Sequence, residues 1–361
     1  MMNTRSSSLR RKSAIRFGQG IAAAAAIAIT LSACSAPADP AAEGEDASYG
    51  DATIQLSWIK NAEFMGEFMA DSEGYFTEAG FDSVDLITGP ASVEGSIIAG
   101  NADMGLGNAI STGTIIAEEG APLKIIGATY QKNPFTILSL AGVGNIDTLE
   151  ALRGKTIGVQ DSNRSLWEAF LAINDIDQSE VDTVTVQYDP SELFAGNIDG
   201  WFSYLTNESL DAELAGLEPV NLPLADNGLP FVAETFTVSD EAIANDREMI
   251  KALMVAEIRG WTAAINDPTA AAQYTVDTYG AELGLTIEKE TLQAEVQATD
   301  LVVSADTESN GLFTISDELQ EQSIATLAAA GITITADQLF DMSLLAEIYE
   351  ENPELVAYAS N

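Results

Sequence analysis

Hydrophobic positions along the chain switch repeatedly between a period of two and a period of three to four, the spacings of strands and helices. ATIQLSW (52–58) alternates like a strand; Phe64, Met65, Phe68 and Met69 then recur at helical spacing over 64–79, with Gly80 as a stop signal. SVDLIT (83–88) is a strand before Gly89-Pro90 and a short helix to about Ala99. ADMGLG (102–107), a helix near 109–119 and LKIIGATY (123–130) complete a first unit. A second unit opens with FTILSLA (135–141), a short helix at 148–154, strand KTIGVQ (155–160), a helix at 164–174, and strands at 181–188 and 198–204. FVAETFTV (231–238) reads as one more strand. Beyond it the pattern turns helical: Ile250, Leu253, Met254, Ile258, Trp261 and Ile265 mark one face of a long helix, with further helices at 268–279, 287–300 and 316–329. Strands alternating with crossover helices predict an α/β fold with parallel or mixed sheets.

The first 51 residues break this pattern. Residues 1–16 are polar and basic, and 18–31 (GQGIAAAAAIAITL) form an apolar run of signal-peptide length, short for a span of the bilayer. Leu31-Ser32-Ala33-Cys34 follows, and Cys34 is the single cysteine of the chain. This order resembles the lipobox of bacterial lipoproteins, which implies a signal peptide over 1–33 and Cys34 as a lipidated N-terminus on the extracytoplasmic face of the membrane. Arg10-Arg11 leaves the export route, general secretory or twin-arginine, open. Residues 34–51 hold Pro, Gly, Ala and acids without period, the composition of a flexible tether.

Charge narrows the function classes. The 361 residues carry 15 Lys and Arg against 56 Asp and Glu, a formal net charge of −41, and five of the basic residues precede residue 17. So acidic a chain repels phosphate backbones, which excludes nucleic acid as a partner. Salt adaptation is one reading of the acidity. There is no His. Ser-His-Asp and Cys-His catalysis and His or multi-Cys metal sites are therefore excluded, and neither cofactor nor metal is expected.

Four segments carry a family resemblance. Leu56, Trp58, Asn61, Gly66, Gly74-Tyr75-Phe76 and Ala79-Gly80 come first, then Ala102-Asp103-Met104-Gly105, then Leu152 to Val159 (LRGKTIGV), then Asn197-Ile198-Asp199-Gly200 running on to Tyr204 and Thr206-Asn207-Glu208. In this order over residues 52–350 they resemble the NMT1/THI5-like substrate-binding proteins of ABC importers. The family often has Pro and His where this chain has Lys60 and Phe64. The resemblance implies a type II periplasmic-binding fold, two α/β lobes joined by two crossover strands, with a helical C-terminal segment packed on lobe one. Lobe one would comprise 52–137 and 233–361, lobe two 138–232, with crossings near Phe135–Leu140 and Phe231–Val238. A small ligand would sit in the interlobe cleft of a monomer, and a membrane permease would be the protein partner.

Ligands of open α/β sheets bind beyond the carboxyl ends of strands, and the candidate residues follow from that rule. Trp58 offers a stacking face or a core cap, and Asn61 an edge contact or a helix cap. Phe64 offers a second wall or simple packing. Asn108 and Asn163 stand between a strand and a helix, as ligand contacts or caps. Tyr204 can stack or donate, and Asn207 can bond a ligand edge; Glu208 can accept ligand N–H groups or serve the first turn of a helix. One member of the pair Trp201–Phe202 is core and the other faces the cleft. Arg164 is more simply an ion-pair partner.

The leading expectation is a lipid-anchored solute-binding protein for a flat heteroaromatic, a thiamine pyrimidine precursor foremost, with riboflavin or a sulfonate- or nitrate-type anion as alternatives. An anion would call for several converging donors, and only Arg153, Arg164, Arg247 and Arg259 lie beyond the signal. A pyrimidine-synthase-type enzyme is the reading from another class. As the resemblance implies, such members consume an active-site His, which this chain lacks.

Overall fold

The computed structural model describes residues 48–358. The strands in chain order are β1 (Gly50–Gln55), β2 (Phe81–Ile87), β3 (Met104–Asn108), β4 (Leu123–Tyr130), β5 (Phe135–Leu140), β6 (Thr156–Gln160), β7 (Asp182–Val186), β8 (Gly200–Tyr204), β9 (Pro219–Pro223) and β10 (Ala233–Ser239). They form two five-stranded sheets, ordered β2-β1-β3-β10-β4 and β7-β6-β8-β5-β9. In the first, β1 pairs parallel with β2 and β3, while β10 runs antiparallel between β3 and β4. In the second, β6 pairs parallel with β7 and β8, and β5 runs antiparallel between β8 and β9. Each sheet is thus parallel where helices cross over and antiparallel at the strand that arrives from the other sheet. The periods of two and 3.6 in the sequence predicted this α/β architecture.

The chain passes between the sheets twice, at 131–134 and at 224–232, so Phe135–Leu140 and Ala233–Ser239 are each full members of one sheet. Asn133 ties the two passages together: its amide donates to the Leu229 carbonyl at 2.7 Å, and its Oδ1 accepts the Phe135 N–H at 2.8 Å.

Several boundaries differ from the sequence reading, each for a local reason. β1 starts at Gly50, inside the segment read as tether, because Tyr49 N–H already bonds the Gly80 carbonyl. The helix expected over 64–79 breaks into Met65–Ser72 and Tyr75–Glu78 at Gly74, whose φ of 75° closes the first helix. β9 went unread because PVNLP looks like a turn; on an outer strand its prolines cost few ladder bonds.

The long helix Arg247–Asn266 crosses Met65–Ser72 where Trp261 lies over Gly66. A Cβ at Gly66 would stand 2.1 Å from Trp261 Cδ1, and one at Gly260 would stand 2.2 Å from the Gly66 carbonyl oxygen. Trp261 Nε1–H donates to Glu67 Oε1 at 3.1 Å, so the crossing is pinned by a buried polar bond as well as by packing. Among the described residues no helix is long and apolar enough to cross a membrane. The signal, Cys34 and the tether to residue 47 lie outside the described residues.

Candidate ligand site between the two sheets

The carboxyl ends of β1, β6 and β8 face one narrow cavity. Ser57, Trp58 and Glu63 line it from the first sheet's side; Phe135, Gln160, Asn163, Phe202, Ser203, Tyr204, Asn207 and Glu208 line it from the second's. Its volume of ≈ 30 Å³ gives room for the centres of about two water molecules. Two larger cavities flank it. One of ≈ 180 Å³ shares Ser57 and Asn163 and adds Ser92, Asn108 and Ser111. The other, of ≈ 370 Å³, shares Trp58, Asn207 and Glu208 and adds Tyr188, Asp211 and Lys289.

Five of the sequence-derived candidates, Trp58, Asn163, Tyr204, Asn207 and Glu208, meet on the central cavity. Asn61 stands behind its wall: Oδ1 caps the turn Ala62–Phe64 by accepting Glu63 N–H at 3.1 Å, and Nδ2 donates to Asn207 Oδ1 at 3.3 Å. Phe64 is buried against Phe68 and does not line the cavity, the arrangement of the packing alternative. Asn108 caps helix Ala109–Glu119 through Ile110 and Ser111 N–H and lines the smaller flanking cavity. Of the pair in β8, Phe202 lines the cavity and Trp201 packs with Leu138 and Leu193. Arg164 turns to Thr185 and Asp161.

Polar bonds cross from one sheet to the other here. Tyr204 Oη, on β8, donates to Glu234 Oε1 at 2.7 Å, on β10. Lys289 Nζ, on helix Ile287–Gln297, donates to Asn207 Oδ1 at 2.5 Å and faces Glu290 Oε1 at 3.4 Å. The Tyr204 ring meets Phe135 edge-on at 4.5 Å.

Burial dominates the site's electrostatics, because removing a carboxylate from water favours its neutral form. Glu208 is pushed up to about 7 by burial, although its own N–H and that of Tyr204 favour the anion. Glu234 also rises to about 7 by burial, held back by bonds from Tyr204, Ser57 and Glu63. Glu63 is raised well above the carboxylate range, by burial first and by Glu234 second. Burial raises the Tyr204 phenol as well, with Glu234 adding to it.

A family model described as NMT1/THI5 like matches residues 61–271, more than half of the chain. The chain belongs to the NMT1/THI5-like family. It is 26% identical over 293 residues to the riboflavin-binding protein RibY of Chloroflexus aurantiacus, covering 74% of this chain and 80% of that protein. It is 36% identical over 108 residues to the 4-amino-5-hydroxymethyl-2-methylpyrimidine phosphate synthase THI5 of Saccharomyces cerevisiae, a match to 29% of this chain and 31% of the synthase. Among solved structures, the alkanesulfonate-binding protein SsuA of Xanthomonas axonopodis pv. citri, bound to MOPS, superposes with a TM-score of 0.58 at 16% identity, covering 84% of this chain and 98% of SsuA. At that identity the likeness is one of fold, the periplasmic-binding-protein fold.

Sequence reasoning on this NMT1/THI5-like chain missed Glu63 and Glu234. Both are 2% exposed. Glu234 sits at a bulge where Ala233 and Thr235 pair with consecutive residues of β3, and its φ is 44°, a left-handed backbone costing a non-glycine residue about 1–3 kcal/mol. The bulge turns its carboxylate toward Tyr204 and Ser57. The available signal was an acid inside an otherwise apolar and Thr-rich strand, FVAETFTV.

Proposed function

We propose that this chain is the extracytoplasmic solute-binding protein of an ABC importer, anchored through a lipid on Cys34. Its ligand is a small flat heteroaromatic that presents N–H donors on its edge, foremost a thiamine pyrimidine precursor. The observation that carries this reading is the lining of the central cavity: four aromatic rings (Trp58, Phe135, Phe202, Tyr204) and two carboxyl groups (Glu63, Glu208), with no Lys or Arg. Rings supply stacking faces and carboxyl oxygens accept N–H groups. An anion such as a sulfonate meets no cation there, which supports a ligand class other than that of SsuA. Similarity to RibY over most of its length supports riboflavin as the second reading; its larger ring system would span the central cavity and a flank.

The enzymatic reading has less support. The match to the yeast synthase covers under a third of either chain, and no His is present. The two sheets with their helices act in this reading as lobes that open for the ligand and close over it, and the closed form is what the permease recognises.

A thermal-shift and calorimetry panel of 4-amino-5-hydroxymethyl-2-methylpyrimidine, riboflavin, an alkanesulfonate and nitrate tests the ligand class. A native-state ligand raises the melting temperature, and the pyrimidine is expected to do so most, with a smaller radius of gyration in scattering at saturation. Selective stabilisation by the sulfonate or nitrate would overturn the reading. Fractionation tests the anchor: Cys34→Ala is expected to move the protein from the membrane to the soluble fraction.

A further inference from the structure

Glu63 and Glu234 share one environment. Both carboxyl groups converge on one hydroxyl, Ser57 Oγ, and their interaction raises Glu63 while it holds Glu234 down, as one proton shared between them and kept on Glu63 would. Glu234 collects donors, Tyr204 Oη at 2.7 Å and Ser57 Oγ at 2.9 Å, as an anion would. Glu63 has the opposite surroundings. Ser57 Oγ lies at 3.4 Å from Glu63 Oε1, a weak contact, and Glu63 alone of the two lines the cavity. The charged and titratable groups around the pair are Glu67 beside it, Tyr130 from β4, Tyr204 and Glu208 from the second sheet, and Lys289 and the buried Glu290 from helix Ile287–Gln297, Glu290 accepting the Ala62 N–H at 2.6 Å. The one cation among them is already engaged by Asn207 and Glu290. A second negative charge at Glu63 would stand unpaired in a buried site.

We propose that Glu63 meets the ligand as an uncharged carboxylic acid, its proton held against Glu234, so that the pair selects an uncharged ring bearing an N–H donor. With the proton directed at Glu234, the free oxygen of Glu63 is an acceptor aimed into the cavity. The strained bulge at Glu234 holds the anion that keeps the proton there. This inference deepens the proposed function and rests on the cavity being the ligand site.

The sign of the pH dependence follows. Glu63 and Glu234 are both raised by folding, so both carry protons at low pH; Glu234 ionises first, near 7, which leaves the single proton on Glu63, and only past the second, higher step does a neutral ligand face a charged Glu63. Wild-type affinity for 4-amino-5-hydroxymethyl-2-methylpyrimidine or riboflavin, whichever binds, should hold through the Glu234 step near pH 7 and fall once pH passes the Glu63 step, a proton-linked loss of up to about tenfold per pH unit. In Glu63→Gln, which keeps an uncharged acceptor, that fall should shrink to within about twofold, and Glu63→Gln should bind more tightly than Glu63→Ala at every pH. A flat wild-type profile, or the full fall retained in Glu63→Gln, would overturn the proposal. A second arm needs no ligand. The infrared difference between ligand-free wild type and Glu63→Gln at pH 6 should contain a protonated-carboxyl band. Its absence sinks the proposal while leaving the solute-binding reading intact. Its presence, with no panel compound bound, would instead fault the ligand reading.

Discussion

Glu208 serves two demands with one carboxylate. Its Oε2 accepts Tyr204 N–H at 3.1 Å and its Oε1 the Asn207 amide at 3.3 Å, which closes the turn after β8. A carboxylate has about four acceptor positions, so positions remain for a ligand on the cavity side. Trp58 likewise divides its indole between the core and the cavity, at 8% exposure. Stacking of a base-like ring contributes about 1–3 kcal/mol, and so does an acceptor for a buried ligand donor. Trp58→Ala and Glu208→Gln are each expected to weaken binding roughly 5- to 150-fold by calorimetry. Should Glu208→Gln bind as tightly as wild type, its carboxylate is a helix-end group only. These residues were legible as cavity lining because the carboxyl ends of the parallel strands open onto the space between the sheets whatever the sequence between them. Glu63 and Glu234 were not, because a buried acid is recognisable only once its partner from a distant element is known: Tyr204 lies 30 residues before Glu234. Asn61 and Asn108 were legible as polar residues at helix starts, and both cap the N–H groups facing them.

Elements set the distances at which those side chains meet. Helix Met65–Ser72 follows directly on the turn that carries Glu63, and its position depends on the approach of Gly66 to Trp261. Gly66→Ala puts a methyl group 2.1 Å from a buried indole carbon. Overpacking of this kind typically costs about 1–3 kcal/mol. A lower denaturant midpoint is expected, together with weaker ligand binding, since the displaced helix carries Glu63 with it. An unchanged midpoint would mean that the crossing has slack. Helices and inner strands were readable because their apolar periods are long and uninterrupted. The outer strand β9 and the break at Gly74 were not, since both depend on single residues whose effect is decided by neighbours in space.

Across the whole molecule, the two sheets are unequal in how the chain builds them. The second comes from one continuous stretch, β5 to β9. The first is interrupted: β4 has β10 as its sole strand neighbour, and Tyr130 pairs with Ala233 across everything in between. On the ribosome, a chain that has emerged only as far as β9 can hold a complete second sheet beside a three-stranded fragment, β2-β1-β3, with β4 unpaired. Closing the first sheet means joining ends separated by residues 131–232, an entropic cost that grows only logarithmically with length but falls late in synthesis. Hydrogen exchange on a chain ended at residue 232 should find β6 and β8 protected and β4 open; protection of β4 would refute this order. The strand that closes the gap also carries the bulge, so Glu234 reaches Tyr204 and Ser57 at the cavity's wall in the same event that completes the sheet. On the proposed reading, a chain competent to bind is therefore one whose assembly has finished, and solute capture doubles as a report of maturation.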